Sequence, residues 1–167
     1  MTMVRLTEVV DAELAEFIRQ HVIEYAEQHV RAGEWAAAEA QTLAWAELSD
    51  LLSETPRAGG QVFLKAVDDF GRRVAWVWVS PAPERWVEDA ASARWLSQIT
   101  VEPDERGRGV GRAVLDALHE RLAAEGVTAV WLRVYDWNDP ARRLYSACDY
   151  ELVRQFPTDA HLCRRLP

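Results

Sequence analysis

Apolar residues recur along the chain with two different periods, which predict where helices and strands lie. Spacings of three and four residues run through positions 14–25 and 110–122 and are typical of amphipathic helices. Alternation of apolar and polar residues, as in residues 98–101, is typical of a half-buried strand. The predicted order is one strand, two helices, three strands, a helix, a strand, a helix and two strands. The predicted segments are 3–6, 8–30, 35–52, 61–68, 73–80, 96–101, 110–125, 128–135, 140–147, 150–156 and 161–165.

Capping and turn residues set the predicted boundaries of these segments. Thr7 is the predicted N-cap of the first helix and Asp139 that of the last, because short oxygen-bearing side chains accept bonds from free amides there. Gly33 and Gly126 are predicted to end helices, since glycine adopts the left-handed conformation that closes them. Residues 68–72 are rich in turn-forming residues and predict a hairpin between the two flanking strands. Residues 81–93 form a longer connection, which is either a mobile substrate loop or a plain insertion.

Length, charge and cysteine content restrict the classes of protein that this chain can be. Its 167 residues predict one domain over 1–167 with a full core. A net charge of -8 argues against nucleic acid as the main partner and favours a cationic substrate. Cys148 and Cys163 share no metal or redox spacing, so we expect reduced thiols, no metal and a cytoplasmic location. No apolar run approaches membrane-spanning length, so no membrane partner is expected.

The stretch 106–111, Arg-Gly-Arg-Gly-Val-Gly, predicts a phosphate-binding loop at the start of a helix. Glycines there let a ligand approach bare backbone N–H groups at the positive end of the helix dipole. The spacing does not match the Gly-x-Gly-x-x-Gly fingerprint of dinucleotide-binding folds, and no Gly-Lys-Ser/Thr of an ATP-type loop follows. A strand-to-helix turn that needs glycine only for its geometry is the plainer alternative.

Two motifs in the second half of the chain carry a family resemblance. The string Val-x-Pro-x-x-Arg-Gly-x-Gly-x-Gly begins at Val101, and the string Asn-x-x-Ala-x-x-x-Tyr begins at Asn138. Both resemble signatures of the GCN5-related N-acetyltransferase (GNAT) family, whose element order also matches the predicted one. The resemblance implies an α/β (α+β) GNAT fold. Its sheet is central, mixed and mostly antiparallel, with about 6–7 strands flanked by about four helices, and a splayed parallel strand pair binds the pantetheine arm.

The resemblance also implies an activity, a co-substrate and a set of site residues. The chain would be an acyltransferase that acts on groups other than aminoacyl, and more narrowly an N-acetyltransferase. It would move an acetyl group from acetyl-CoA to a primary amine of a small molecule or peptide by direct attack in a ternary complex. It would work as a monomer or homodimer. Tyr145 would be the general acid that protonates or stabilises the departing thiolate. The implied coenzyme A-binding residues are Ile99, Thr100, Val101, Arg106, Gly107, Arg108, Gly109, Val110, Gly111, Arg112 and Asn138.

The sequence leaves the general base and the acceptor pocket open. Many relatives carry a carboxylate where this chain has Gln98, and glutamine cannot act as a base. Four carboxylates or a relayed water remain as alternatives, and the carboxylates are Glu24, Glu34, Glu88 and Asp89. A core packing role is the alternative for Tyr145, and packing or surface roles are expected for all four histidines. Trp78 and Trp86 are the first candidates for an acceptor pocket. The alternative functions are a non-catalytic acyl-CoA-binding or sensor module, or transfer of another acyl group or to a hydroxyl.

Overall fold

The computed structural model describes residues 3–51 and 58–167, which fall into two compact units. One unit holds residues 3–8 and 62–167 and contains the sheet, and the other holds the helical residues from 9 to 61. The strands are β1 (Arg5–Glu8), β2 (Val62–Val67), β3 (Arg73–Pro81), β4 (Ala93–Val101), β5 (Ala129–Tyr135), β6 (Glu151–Gln155) and β7 (Asp159–Arg165). The helices are α1 (Asp11–Arg31), α2 (Ala40–Leu51), α3 (Val110–Ala124) and α4 (Asp139–Ala147).

The seven strands form one mixed sheet in the order β1-β2-β3-β4-β5-β7-β6. Every neighbouring pair is antiparallel except β4 and β5, which run parallel. This arrangement, with four α-helices, confirms the predicted fold class. The predicted order of elements is confirmed as well.

The parallel pair β4–β5 is joined for only part of its length. Ala93, Arg94 and Trp95 pair with Ala129, Val130 and Trp131, and beyond these pairs the strands diverge. The register between β3 and β4 also shifts, from Trp78 opposite Gln98 to Val79 opposite Leu96. Ser97 is therefore an extra residue, a β-bulge that bends β4 where the two strands separate. The result is a V-shaped opening inside the sheet, in agreement with the splayed strand pair that the family resemblance implies.

Helix α3 covers one face of the sheet and supplies much of its core. The predicted stripe is buried, and its members are Val110, Val114, Leu115, Leu118 and Leu122. They pack with Ala75, Val77 and Val79 from β3 and with Tyr145 from α4. Trp76 and Trp78 lie on the opposite face of β3 and are also buried, so both faces of this strand are apolar and covered.

The start of α1 differs from the prediction. Thr7 lies within β1. The N-cap is Val10, whose N–H donates to the Glu13 carboxylate at 3.3 Å. Thr7 stays in the strand because Thr7 pairs with Lys65 of β2, a long-range contact that capping preference does not reveal. The predicted end is correct. Gly33 has φ 74°, and bonds from Gly33 and Glu34 to the carbonyls of Val30 and His29 close the helix.

Helix α2 begins at Ala40, later than the predicted residue 35, because residues 36–40 first form a turn. In that turn Ala36 O accepts bonds from both Glu39 N and Ala40 N, at 3.1 Å each. Its predicted end at residue 52, and most of the predicted loop 53–60, lie outside the described residues. Of the helices in the described ranges, none combines the length and the apolar character needed to cross a membrane.

The cap of α4 was also predicted one residue too late. The N-cap is Asn138, whose side-chain oxygen accepts from Ala141 N at 3.3 Å, and Asp139 is the first helical residue. Asn and Asp are both good caps, so composition alone does not distinguish neighbouring positions.

Candidate active site

The glycine loop, residues 106–111, connects the end of β4 to the start of α3. Gly107 and Gly109 have φ values of 73° and 81°, and a Cβ added at either would meet nothing within 4 Å. Backbone conformation therefore requires these two glycines, and the space beside them is open to a ligand. Gly111 differs, because a Cβ there would lie 3.1 Å from Cδ2 of Leu144 on α4. It allows α3 and α4 to approach each other.

The first amides of α3 have no acceptor within the helix. The N-cap is Gly109, which has no side chain to accept a bond, and the bond nearest the start runs from Ala113 N to Gly109 O at 3.1 Å. The N–H groups of Val110, Gly111 and Arg112 precede this ladder. Together with the positive end of the helix dipole, they form a site suited to an anion such as a pyrophosphate.

The three arginines of this region play different structural roles. Nε of Arg106 donates to the carbonyl oxygen of Val101 at 3.0 Å and so ties the loop to the end of β4. Arg108 lies 3.5 Å from Glu105, and Arg112 lies 3.8 Å from Asp116. The side chains of both are about two-thirds exposed, so these ion pairs are weak and their guanidinium groups remain accessible.

The main chain of β4 presents alternate residues to the V-shaped opening. Glu102 N donates to Val74 O on β3 at 2.9 Å, so main-chain groups of residues two and four positions earlier point the same way. Ile99 and Val101 consequently direct their N–H and C=O groups away from β3, towards the diverging β5. Thr100 points its main chain at β3, and its hydroxyl accepts from Gln98 Nε2 at 2.8 Å.

Asn138 lies between β5 and α4, at the end of the second splayed strand. Its Oδ1 is used by the cap of α4, and its backbone N–H donates to Tyr135 O at 3.0 Å. Its side-chain NH₂ has no hydrogen-bond acceptor among residues 3–51 and 58–167. That group is the part of the side chain left for a ligand.

Tyr145 projects from α4 into the core beneath α3 and is 7% exposed. Its ring lies 5.5 Å from the ring of Tyr150, and its hydroxyl makes no hydrogen bond to any described residue. Burial, with a smaller contribution from Cys148, raises the pKa of the phenol well above its usual value. The hydroxyl is therefore a proton donor over the whole neutral range, and it cannot serve as a base there.

A buried polar network that the sequence did not indicate adjoins this tyrosine. His119 Nδ1 accepts from Arg164 at 2.8 Å, and its Nε2 lies 2.9 Å from the Tyr150 hydroxyl. Arg164 also donates to the carbonyl of Cys148, the C-cap of α4, at 3.0 Å. Burial and the Arg164 charge lower the pKa of His119 to about 4. Since guanidinium only donates, the neutral imidazole carries its proton on Nε2.

Gln98 occupies the predicted position on β4, opposite Trp78. Of the four candidate carboxylates, Glu24 accepts from Gln20 and Glu34 pairs with His29, both within the helical unit. Glu88 and Asp89 are exposed in the connection between β3 and β4. These contacts single out none of the four as the base.

Beside the apex of the V-shaped opening, three aromatic side chains surround one imidazole. His161 lies 5.1 Å from both Trp86 and Trp95 and 4.8 Å from Phe156, measured between ring centroids. The rings of the two tryptophans stand nearly perpendicular to the imidazole, at 88° and 82°. We call these four residues the aromatic hollow. Trp86 was predicted as a pocket residue, whereas His161 was expected only to pack or face solvent, because its neighbours come from distant parts of the sequence.

Trp78, the other predicted pocket residue, is 2% exposed and stacks on Phe63 at 5.4 Å. In this structure it is a core side chain. Among the described residues, no group of three histidine, cysteine or acidic side chains is arranged to hold a metal ion.

Comparison with known proteins gives a family match over most of the chain. The family model described as "Acetyltransferase (GNAT) family" matches residues 24–150. Among curated proteins, the uncharacterized N-acetyltransferase YycN of Bacillus subtilis (strain 168) is 26% identical over 151 residues, which cover 89% of this chain and 92% of that protein.

Solved structures with the same fold include the crystal structure of YycN from Bacillus subtilis. It has a TM-score of 0.84 at 23% identity and covers 92% of this chain and 96% of its own. The crystal structure of PaiA N-acetyltransferase from Thermoplasma acidophilum in complex with coenzyme A has a TM-score of 0.70 at 14% identity and covers 97% and 98%. At these identities the likeness concerns the fold.

Proposed function

The chain belongs to the acetyltransferase (GNAT) family, and from that premise we propose that it transfers the acetyl group of acetyl-CoA to a primary amine of a small molecule or peptide. The amine attacks the thioester directly, with both substrates bound. The observation that carries this proposal is the uncapped start of α3 beside the V-shaped opening. It offers a pyrophosphate site and a channel for an extended arm in one place.

Coenzyme A would be held mainly by backbone. The amides of residues 106–112 bind the pyrophosphate, and the exposed Arg108 and Arg112 add positive charge. The main chain of Ile99 and Val101, on either side of Thr100, bonds the pantetheine arm as an added strand would. The free NH₂ of Asn138 donates to the same arm from the other splayed strand. The coenzyme A in the PaiA structure supports this choice of ligand.

Tyr145 would act as the general acid. When the amine nitrogen bonds to the acetyl carbon, the carbon–sulfur bond breaks and the sulfur leaves as a thiolate. A phenol that stays protonated because burial raises its pKa can give that sulfur a proton. The absence of a hydrogen-bond acceptor for its hydroxyl among the described residues leaves the donor available for this role.

Charge along the chain favours a cationic acceptor. Residues 9–61 contain ten of the 27 acidic residues and three of the 19 basic ones. The rest of the chain is nearly balanced, with 17 acidic and 16 basic residues. Such a segment raises the local concentration of an ammonium-bearing substrate at low ionic strength. Cys148 and Cys163 are both free and buried, which agrees with our proposal of a reducing, cytoplasmic location.

A second candidate is a non-catalytic acyl-CoA-binding or sensor module, and Gln98 is the observation that favours it. A third is transfer of a different acyl group. All three bind coenzyme A, so binding alone does not distinguish them.

The test is thiol release with acetyl-CoA and a panel of spermidine, lysine methyl ester, glycinamide, phenethylamine and an alanine-initiated tetrapeptide. We expect coenzyme A release that depends on at least one amine, with the acetylated product seen by mass spectrometry. Calorimetric binding of acetyl-CoA without release would support the sensor. Release with propionyl-CoA or succinyl-CoA but not acetyl-CoA would support another acyl donor, and absence of any binding would end all three proposals.

A further inference from the structure

His161 lies at the apex of the V-shaped opening. On β7 it is paired with Arg133 of β5, two residues beyond Trp131, which forms the last pair with β4. On the β4 side the imidazole contacts Trp95, the last paired residue of that strand. The ring therefore stands where the two splayed strands begin to separate.

The imidazole and the Tyr145 phenol lie on opposite faces of the sheet. Ala160 and Leu162, the neighbours of His161 on β7, pack in the core beneath α3 with Tyr145. Because side chains alternate along a strand, His161 points to the other face. Tyr145 shares its core cluster with Ile99 and Val101 of β4, so the proposed proton donor packs against one face of this strand and the imidazole lies on the other face of the sheet.

The imidazole is enclosed but has no hydrogen-bond partner. His161 is 6% exposed, and neither ring nitrogen bonds to any residue in the described ranges. The ring nitrogens are not among the fully buried unbonded atoms of the described residues, so a group that enters the hollow can still reach them. The walls of the hollow, Trp86, Trp95 and Phe156, are partly exposed, and such rings attract an ammonium group.

We propose, on the basis of the proposed acetyl transfer, that His161 is the general base and that the acceptor's ammonium group enters the aromatic hollow to reach it. An unprotonated ring nitrogen takes one proton from the ammonium, and the freed lone pair forms the carbon–nitrogen bond. The carbon–sulfur bond then breaks and the thiolate takes a proton from Tyr145. The new amide nitrogen loses its second proton through water to the tyrosinate, and His161 releases its proton to solvent. No oxidant or further reactant is needed.

The charged groups around the hollow keep the imidazole neutral. Burial lowers the pKa of His161, the Asp159 carboxylate on β7 opposes this, and Arg133 on β5 and Arg154 on β6 lower it further. Asp159 is bonded to Arg133 at 2.9 Å, so its opposing effect is partly neutralised. Arg85, from the connection between β3 and β4, lies over Trp86 on the rim. An imidazole held neutral at pH 7 is in the correct state to accept a proton.

The nearest carboxylate is a weaker candidate for this role. Asp159 is 7% exposed and accepts from both Arg133 and the Thr158 hydroxyl. Moving a proton to it would break an ion pair. Gln98, on the strand that holds the acetyl group, has no basic atom.

The test compares wild type, His161→Gln and Phe156→Leu with the fastest amine of the panel above. We expect His161→Gln to lower kcat/KM by about 100-fold at pH 7, within the usual contribution of general base catalysis. Its acetyl-CoA affinity should be unchanged. This loss of kcat/KM should become smaller as the pH approaches the pKa of the amine, because an amine that is already unprotonated needs no base. For the same reason it should be smaller with methoxyamine, which is neutral at pH 7. Phe156→Leu loosens the same hollow but keeps the imidazole, so its pH profile should retain the acidic limb of wild type.

An NMR titration of the histidine ring signals gives a reading that does not depend on activity. The signal that is missing from the spectrum of His161→Gln should give a pKa below 6.5. That pKa should equal the one that describes the acidic limb of the wild-type kcat/KM profile. The proposal is overturned if His161→Gln keeps that limb, or loses the same factor with methoxyamine as with basic amines. Absence of turnover with every amine would instead contradict the proposed function, because the wild type is measured first.

Discussion

Nε of Arg106 donates to the carbonyl oxygen of Val101 at 3.0 Å, so the glycine loop is tied to the strand that it leaves. The same carbonyl faces the V-shaped opening. Arg106 therefore fixes the distance between the proposed pyrophosphate and pantetheine sites, in addition to carrying charge.

We predict that Arg106→Ala weakens binding of coenzyme A about fivefold. One lost hydrogen bond is worth on the order of 1 kcal/mol, which corresponds to that factor. Calorimetric titration measures it, with Arg165→Ala as the control, since that exposed arginine ends β7 away from the loop. Equal affinities for the two variants would contradict the role given to Arg106.

Gly109→Ala and Gly126→Ala form a matched pair. Both glycines have left-handed φ, 81° and 82°, and a Cβ at either would meet nothing within 4 Å. Each variant should lose about 1–2 kcal/mol of unfolding free energy from backbone strain. Only Gly109→Ala should also lose coenzyme A binding, because its Cβ enters the space proposed for the pyrophosphate. Chemical denaturation and calorimetry separate the two effects.

Tyr145→Phe should lower kcat about 100-fold and leave acetyl-CoA affinity nearly unchanged, because the ring still fills the core. Since burial raises the pKa of the wild-type phenol above 10, deprotonation of Tyr145 should not reduce kcat below about pH 10. Tyr150→Phe is the control for removing a buried hydroxyl. Unchanged turnover in Tyr145→Phe would remove this residue from the mechanism.

Acid should destabilise the fold through His119. Its pKa is about 4 when folded and 6.5 when unfolded, so the unfolded chain binds the proton more readily. The resulting stability is present above pH 6.5 and lost as pH falls towards 4, a change on the order of 3 kcal/mol. Denaturation of wild type and His119→Gln at both pH values measures it. If His119→Gln loses as much unfolding free energy between the two pH values as the wild type does, His119 is excluded as the cause.

Asp149→Gly should raise the unfolding free energy by about 1 kcal/mol. Asp149 has φ 60° after α4, a conformation that glycine adopts without strain. Asp149→Ala removes the same charge and keeps the Cβ, so it should give no such gain. Thermal unfolding of the two variants distinguishes relief of strain from loss of charge.

The sequence was most informative where neighbours in the chain are neighbours in the fold. The position of the glycine loop between a strand and a helix, the stripe of α3 and the closures at Gly33 and Gly126 are local features, and all were predicted correctly. Thr7 was misassigned because its strand partner, Lys65, is far away in sequence.

His119 and His161 show the same limit in the candidate site. The partners of His119 are Tyr150 and Arg164, and those of His161 include Trp86 and Trp95. No spacing rule links such residues, so their burial and altered pKa values became apparent only in the folded chain. The roles given to Tyr145, Asn138 and the loop residues came from the family motifs and remain predictions.

The opening between β4 and β5 divides the sheet into a ribbon of four strands and a ribbon of three, which share three residue pairs. A ligand seated there would bridge both ribbons and take the place of the missing ladder. Its binding free energy would then add to the cohesion of the whole sheet. Slower amide exchange would follow in both ribbons at once, including β6 and β1 at the outer edges, which the ligand never touches.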